Sequence, residues 1–401
     1  MVLQQLLILG STGTIGVNTL DVVIKHPDRF SVYALVAGKN IDLLFKQACT
    51  HRPKVVIVCD SFALDQWHLE GYSTKLYQKL GYRPEVGGLS NLDILCKDPV
   101  IDTVVAAIVG SAGLKPTLIS LQAGKRVLLA NKESLVLAGQ FMIKACAESG
   151  ATLLPVDSEH NAIYQCLPTN FDINKATDYG IERLILTASG GPFRRTPPEQ
   201  LSQISPAQAV IHPNWVMGRK ISVDSATMAN KGLELIEALW LFGLPFNQLS
   251  VLIHPQSIVH SLVEYKDGSV LAQLGCPDMR TPIAHVLGLP ERIESGSPRL
   301  NLAQLGRLDF EEPDLIRFPM LRLAFEVLKQ PDTLAPVFNA ANELAVDLFL
   351  NDKIAYMDIV RLTDYCLAHF AGEVVHSLED AFILDLAVRS YALQCAGKFS
   401  G

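Results

Sequence analysis

The sequence predicts an α/β chain in three parts: a doubly wound parallel sheet over 1–156, an α+β domain over 157–287, and, past a linker at 288–313, a small helical domain over 314–401. Three observations predict it. Short β-branched runs alternate with amphipathic stretches up to residue 156, loops then lengthen around a hairpin signal, and helix-period patterns take over from about Asp314. At 401 residues the chain exceeds one ordinary core, since a domain takes roughly 100 to 200 residues.

Gln5 to Leu9, Val32 to Ala37, Val55 to Cys59, Val104 to Val109, Val127 to Ala130 and Thr152 to Val156 have the texture of parallel strands covered on both faces. Behind Asn40, a residue suited to capping, Ile41, Leu44, Phe45 and Ala48 recur at helical spacing and give one apolar face. The pattern is a repeated βαβ unit. Such sheets bind ligands beyond the carboxyl ends of their strands. Five polar insertions fall there, at 10–16, 38–40, 110–113, 131–133 and 157–160. Farther on come a Pro-rich stretch around Pro192 to Pro213 and the turn Lys266-Asp267-Gly268-Ser269 between two strand-like runs. Gly288 to Pro313 lacks periodicity. Leu321, Phe325 and Leu328, then Ala341, Leu344, Ala345 and Leu348, restore the helical period.

Composition narrows the function. Lys plus Arg number 34 against 41 acids, so a net charge of −7 disfavours nucleic acid and anionic membrane surfaces as partners. The apolar runs stop far short of the roughly 18 residues a membrane span needs. No basic export leader opens the chain, and the eight cysteines form no C-x-x-C pair, so reduced core thiols and a cytoplasmic location are expected. Cys166 alone lies near interesting chemistry.

Gly10-Ser11-Thr12-Gly13-Thr14-Ile15-Gly16 follows the first strand and opens a helix, the context of a Rossmann-like dinucleotide loop whose pyrophosphate meets a helix N-terminus. A tight turn without ligand is the bland alternative. At the end of the second strand an NAD site would hold the ribose hydroxyls with an acid. Ala37-Gly38-Lys39-Asn40 instead offers a cation for a 2′-phosphate, which favours NADPH.

Asp157 and Glu159 stand two residues apart at a strand end, so strand alternation points both carboxylates to one side. Asn230, Lys231 and Glu234 share a helical face and can add a third acid. An all-oxygen set suits Mg²⁺ or Mn²⁺ over zinc. Asp157 as a helix cap with Glu159 in the first turn, and Glu234 in a solvated pair with Lys231, are the plain alternatives. Ser189, His212, Ser225, Asn230 and Lys231 together offer what a phosphate monoester needs, although Ser189-Gly190-Gly191 also reads as a simple loop. Trp215 and Met217 sit between Pro213 and Gly218, as a closing lid at about 190–220 would, or as an anchored loop. His254 and His260 read as core residues.

These blocks belong together. Gly-Ser-Thr-Gly-Thr-Ile-Gly at 10–16, Leu-Leu-Ala-Asn-Lys-Glu-Ser-Leu-Val at 128–136, Pro-Val-Asp-Ser-Glu-His-Asn-Ala-Ile at 155–163, the run from His212 to Met228, Ile-His-Pro-Gln-Ser at 253–257 and Asn339-Ala340-Ala341-Asn342-Glu343 resemble the 1-deoxy-D-xylulose 5-phosphate reductoisomerase family over essentially the whole chain. Thr14 stands where Ser is usual and keeps the hydroxyl. The resemblance implies an enzyme of the non-mevalonate isoprenoid pathway using NADPH and Mg²⁺ or Mn²⁺, with Co²⁺ as a substitute. It would convert 1-deoxy-D-xylulose 5-phosphate to 2-C-methyl-D-erythritol 4-phosphate. It implies Asp157, Glu159 and Glu234 as metal ligands, and Lys132, Ser158, Glu159, Ser189, His212, Ser225, Asn230, Lys231 and Glu234 as substrate contacts. Lys132 and His212 join the three acids in the catalytic set. Thr12, Gly13, Thr14, Ile15, Gly38, Lys39, Asn40, Asn131, Glu133 and Gly218 match the NADPH contacts. A homodimer formed through the catalytic domain is also implied.

Two rivals remain at the level of residues. A phosphorylating semialdehyde dehydrogenase shares the nucleotide loop but needs an activated cysteine and no metal. A non-catalytic NADP(H)-sensing protein would keep the fold and lose the acids.

Overall fold

A computed structural model describes residues 3–211 and 218–399. They form two compact units, one of 3–134, 142–157 and 278–297, the other of 135–141, 158–211, 218–277 and 298–399.

The first unit is built on seven parallel strands: β1 (Gln4–Leu9), β2 (Phe30–Ala37), β3 (Val55–Val58), β4 (Glu85–Gly87), β5 (Thr103–Ala106), β6 (Arg126–Leu129) and β7 (Thr152–Pro155). Their order is β4-β3-β2-β1-β5-β6-β7, with every neighbour parallel. The chain crosses from β4 to β5 at the far side of β1, so the sheet winds outward from β1 in both directions. Leu6, Leu7, Ile8 and Leu9 have no exposed surface. Burying each such side chain contributes about 1.5–3 kcal/mol, which is why the central strand lacks polar alternation. Helices Thr14–Val23 and Ile41–His51 follow β1 and β2, and the side chain of Asn40 accepts from the Leu43 amide at 3.2 Å as the second helix begins. β4 has no counterpart among the predicted strands, because Glu85-Val86-Gly87 is too short to show a period.

In the second unit, β8 (Ile181–Ala188), β9 (Leu249–Ile253), β10 (Val259–Tyr265) and β11 (Val270–Leu274) make a sheet in the order β11-β10-β8-β9. The Asp267-Gly268 turn closes the predicted hairpin, β10 against β11, with Gly268 at φ +85°. Helices Pro319–Val327, Pro331–Leu350, Asp358–His369 and Leu378–Ala396 form the helical C-terminal region. Gly139, in the interrupted helix Lys132–Ser149, lies where a methyl group would strike the Trp240 indole at 2.5 Å. No helix among the described residues is long and apolar enough to cross a membrane.

None of the eight cysteines is in a disulfide, and Cys96, Cys366 and Cys395 are buried. His254 and His260 are buried as expected. Burial pushes His260 down to about 4, and His285 in the first unit likewise to about 4. Both groups stay neutral in the folded chain while their unfolded counterparts gain a proton below about 6.5. Their stabilisation is therefore complete above that pH and is lost as pH falls from about 6.5 to 4, at up to about 1.4 kcal/mol per pH unit for a fully buried group. Urea unfolding at pH 7 and pH 5 should show the lower midpoint at pH 5, and His260→Gln should flatten the difference. A variant whose midpoint falls as steeply as that of the parent would contradict the assignment.

Candidate active site

Among the described residues, the polar loops identified from sequence follow the carboxyl ends of β1, β2, β5 and β6, as a parallel sheet requires. In the first of them, each glycine has a different reason to be there. Gly10, at φ +82°, would drive a Cβ into the Ala107 carbonyl at 2.5 Å, and one on Gly16 would meet the Gly10 carbonyl at 2.4 Å. Gly13 has neither constraint, its nearest neighbour being the Gly10 carbonyl at 3.4 Å, and it caps the helix beginning at Thr14. Thr12 and Ile15 are half-buried while Gly13 and Thr14 face solvent. Two glycines thus serve the turn, and Gly13 stands with little around it at a helix N-terminus, where an anion can be met.

Gly38, Lys39 and Asn40 are exposed beyond β2. The Lys39 ammonium lies 3.9 Å from Asp60, an acid after β3 that pattern reading did not connect with this loop. Asn131 is buried and fully committed: its amide nitrogen donates to the carbonyls of Ile108 and Gly110, and its oxygen accepts from Ser134 N at 2.9 Å. It clasps the loop after β5 to the loop after β6, which leaves its backbone for any contact with a nucleotide. Next to it, Lys132 and Glu133 occupy the first turn of the helix, and Lys132 Nζ pairs with Asp157 at 2.5 Å.

Asp157 and Glu159 are two peptide bonds apart, just past the end of β7. β7 stops at Pro155 and a helix runs Ser158–Cys166. Glu159 therefore lies in a first helical turn, and the strand alternation expected to align the two carboxylates is absent. What brings the acids together is the chain's entry into that helix. Asp157, Glu159 and Glu234 each present a carboxylate oxygen, and these lie within 4.8 Å of one another. Three carboxylates of this kind fit a hard divalent cation.

Glu234 is buried on helix Ala229–Phe242 together with Lys231 and half-buried Asn230. The Asn230 amide donates to one Glu234 oxygen and the Lys231 ammonium to the other. Lys231 also donates to Glu159 at 2.8 Å, and Ser158 Oγ donates to the second Glu159 oxygen at 2.5 Å. Burial alone would push the Lys231 ammonium down, yet the charges and hydrogen bonds of Glu159 and Glu234 outweigh it and hold the group above its ordinary value. The solvated Lys-Glu pair considered from sequence is in fact a buried one.

His160 was not singled out from sequence. Its Nε2 lies 2.7 Å from the Glu234 carbonyl and its Nδ1 3.2 Å from Glu237, which ties the helix carrying Glu159 to the helix carrying Glu234. Asp157, His160 and Glu237 form a second close triple. Both nitrogens of His160 already have partners there, so the all-oxygen triple is the better cation site. The signal that could have revealed Glu237 is its i+3 position from Glu234 on the buried face.

Ser189 Oγ accepts from Gly191 N at 3.2 Å, and a methyl on Gly191 would strike the Ser225 carbonyl at 2.7 Å. The Ser-Gly-Gly turn is thereby packed against Ser225, on helix Arg219–Thr227, which Gly218 caps. His212, Trp215 and Met217 lie outside the described residues. Cys166 offers its carbonyl to Tyr265, and the thiols of Cys49, Cys59, Cys96, Cys146 and Cys366 are all pushed up by burial. A cysteine nucleophile needs the opposite shift.

Family models described as 1-deoxy-D-xylulose 5-phosphate reductoisomerase match residues 6–139, and models of its C-terminal domains match 153–242 and 274–391. The chain is 51% identical over 394 residues to the 1-deoxy-D-xylulose 5-phosphate reductoisomerase of Methylobacillus flagellatus, covering 98% of each chain. With that of Stutzerimonas stutzeri it shares 52% over 394 residues, covering 97% of each. It matches a solved DOX-P reductoisomerase in complex with NADPH, fosmidomycin and magnesium at TM-score 0.90 and 47% identity, over 98% of both chains. The Zymomonas mobilis enzyme in complex with NADPH matches at TM-score 0.88 and 43% identity, over 98% of this chain and 99% of that one.

Calorimetric titration with Mn²⁺ tests the oxygen triple. Losing an outer partner of a metal site typically weakens binding roughly 10- to 100-fold. Glu234→Gln removes a ligand charge outright and should weaken it by at least about 100-fold. Unchanged Mn²⁺ affinity in a folded Glu234→Gln variant would move the metal elsewhere.

Proposed function

The chain belongs to the 1-deoxy-D-xylulose 5-phosphate reductoisomerase family, and we propose on that premise how its residues carry the reaction. It is an NADP-dependent oxidoreductase that converts 1-deoxy-D-xylulose 5-phosphate, with a divalent metal, to 2-C-methyl-D-erythritol 4-phosphate for isoprenoid synthesis. The observation that carries this reading is the meeting of Asp157, Glu159 and Glu234 in a chain that also has a nucleotide loop at 10–16.

Asp157, Glu159 and Glu234 would hold the metal, which would supply polarisation of the keto group and stabilisation of oxyanion charge. Thr12 to Ile15, Gly38 to Asn40, Asn131, Glu133 and Gly218 would hold NADPH, which would supply the hydride for the reduction. The protein's own groups do the positioning. Lys132 holds Asp157, and Lys231 holds Glu159 and Glu234, so the carboxylates are oriented before substrate arrives. Ser158 supplies a hydroxyl beside Glu159. Ser189, His212, Ser225, Asn230 and Lys231 offer donors to the substrate phosphate, whose binding is remote from the reacting carbons and is used to fix their geometry. Lys39 is the cation for the 2′-phosphate. Trp215 and Met217 would cover the sugar.

On this reading 1–156 binds nucleotide, 157–287 with its lid at about 190–220 binds metal and substrate, 288–313 links, and 314–401 closes the chain. Cysteines without disulfides suit a reducing, cytoplasmic setting.

NADPH oxidation by the purified chain with 1-deoxy-D-xylulose 5-phosphate should require Mg²⁺ and vanish on chelation with EDTA. Turnover that persists without metal would overturn the metal's role, and a folded chain inert in the presence of Mg²⁺ would overturn the reaction.

A homodimer belongs to the same proposal. β11 lies at an edge of its sheet with Val270 and Leu271 about half exposed, 49% each, and an apolar edge strand calls for a cover. Light scattering should return about twice the 43.9 kDa chain mass, and Leu271→Lys should shift it to the monomer. A monomeric parent would refute the dimer.

A further inference from the structure

Helix Arg219–Thr227 carries Ser225 and passes through Met228 into helix Ala229–Phe242, which carries Asn230, Lys231 and Glu234. Met228 sits at φ +64°, a left-handed conformation that a non-glycine residue keeps only where its surroundings impose it. Those surroundings come from the C-terminal helical region. Tyr356 Oη donates to the Ala226 carbonyl at 2.7 Å, and burial pushes the Tyr356 phenol far up, so the hydroxyl remains a donor. The Asn342 amide donates to Asp224 Oδ1 at 2.8 Å while Lys220 pairs with Oδ2 at 2.8 Å, which leaves a 1% exposed carboxylate held from two sides. Glu343, beside Asn342, lies 4.0 Å from Lys220 and is itself held by Arg389 at 2.5 Å. The residues on either side of Ser225 are therefore pinned by side chains that have no part in the reaction as described, while Gly191 packs against Ser225 itself.

We infer that Asn342 and Tyr356 are positioning residues for the substrate phosphate, acting through Asp224 and Ala226 to fix Ser225 and the turn that leads to Asn230 and Lys231. The inference rests on the assignment of Ser225, Asn230 and Lys231 to the phosphate. It accounts for the Asn339–Glu343 segment, which the nucleotide loop, the acids and the phosphate donors leave without a task.

The test compares wild type with Tyr356→Phe, which removes one oxygen, and Asn342→Asp, which sets a carboxylate against Asp224. The swapped pair Asp224→Asn with Asn342→Asp can restore the hydrogen bond with donor and acceptor exchanged. Each single variant should raise KM for 1-deoxy-D-xylulose 5-phosphate about tenfold, with kcat within about twofold and KM for NADPH unchanged. The swapped pair should recover part of that loss. Should Asn342→Asp fail to fold, Tyr356→Phe decides alone. Inorganic phosphate titrated into wild type and Tyr356→Phe gives the same comparison without turnover, so an inactive wild type would defeat the assigned reaction and still leave this inference decided. Equal phosphate affinity in both proteins, an unchanged KM for the sugar phosphate, or an equal rise in KM for NADPH would each overturn it.

Discussion

A lysine that is 3% exposed faces two carboxylates, one of them just as deeply buried, and much of the second unit is arranged around that fact. Removing an ion from water costs several kcal/mol even after relaxation, so a buried Lys231 is tolerable only with its partners in place. Glu159 and Glu234 supply the balance from different helices, which forces those helices together at one spot. His160 secures the same junction by bridging to the Glu234 carbonyl and to Glu237. A core built of aliphatic residues would be cheaper to fold. Its replacement by charge is the mark of a site whose chemistry needs carboxylates held at fixed positions.

The first unit solves the opposite problem. Its strands are mostly apolar, and its polar loops and exposed side chains lie beyond the strand ends. An anion can be met there with little buried charge, by the start of helix Thr14–Val23 and by Lys39. The net charge of −7 is consequently a poor guide to either unit. It argues against long polyanions on the surface and says little about small anions, which single lysines and helix ends can meet locally.

How legible each feature was in the sequence follows from how local its cause is. β1, β2, β3, β5, β6 and β7 announced themselves because strands buried on both faces need uninterrupted β-branched runs. β4 did not, since three residues carry no period. Asp157 and Glu159 are legible as a pair, but strand alternation is the wrong reason for it: a helix begins at Ser158 and places Glu159 in its first turn, the plainer of the two readings the sequence allows. Lys231 and Glu234 were legible as a helical face, and their burial was not, because burial depends on what packs above them. His160 with Glu237, Asn131 as a clasp between loops, and Asp60 beside Lys39 all join residues far apart in sequence, where spacing offers no signal.

Backbone conformation separates the two kinds of site once more. At Gly13 no neighbour within the protein forbids a side chain, so the absence of one is best explained by something that approaches from outside. At Met228 the reverse holds: a bulky residue occupies a conformation where glycine would be easier, and the hydrogen bonds to Asp224 and Ala226 hold its helix from the far side. A glycine at that position would loosen the hinge between Ser225 and Asn230. The strained methionine keeps it stiff, at a cost met by the C-terminal helices. Space left open thus characterises the loop at 10–16, and strain held from behind characterises the turn between Ser225 and Asn230.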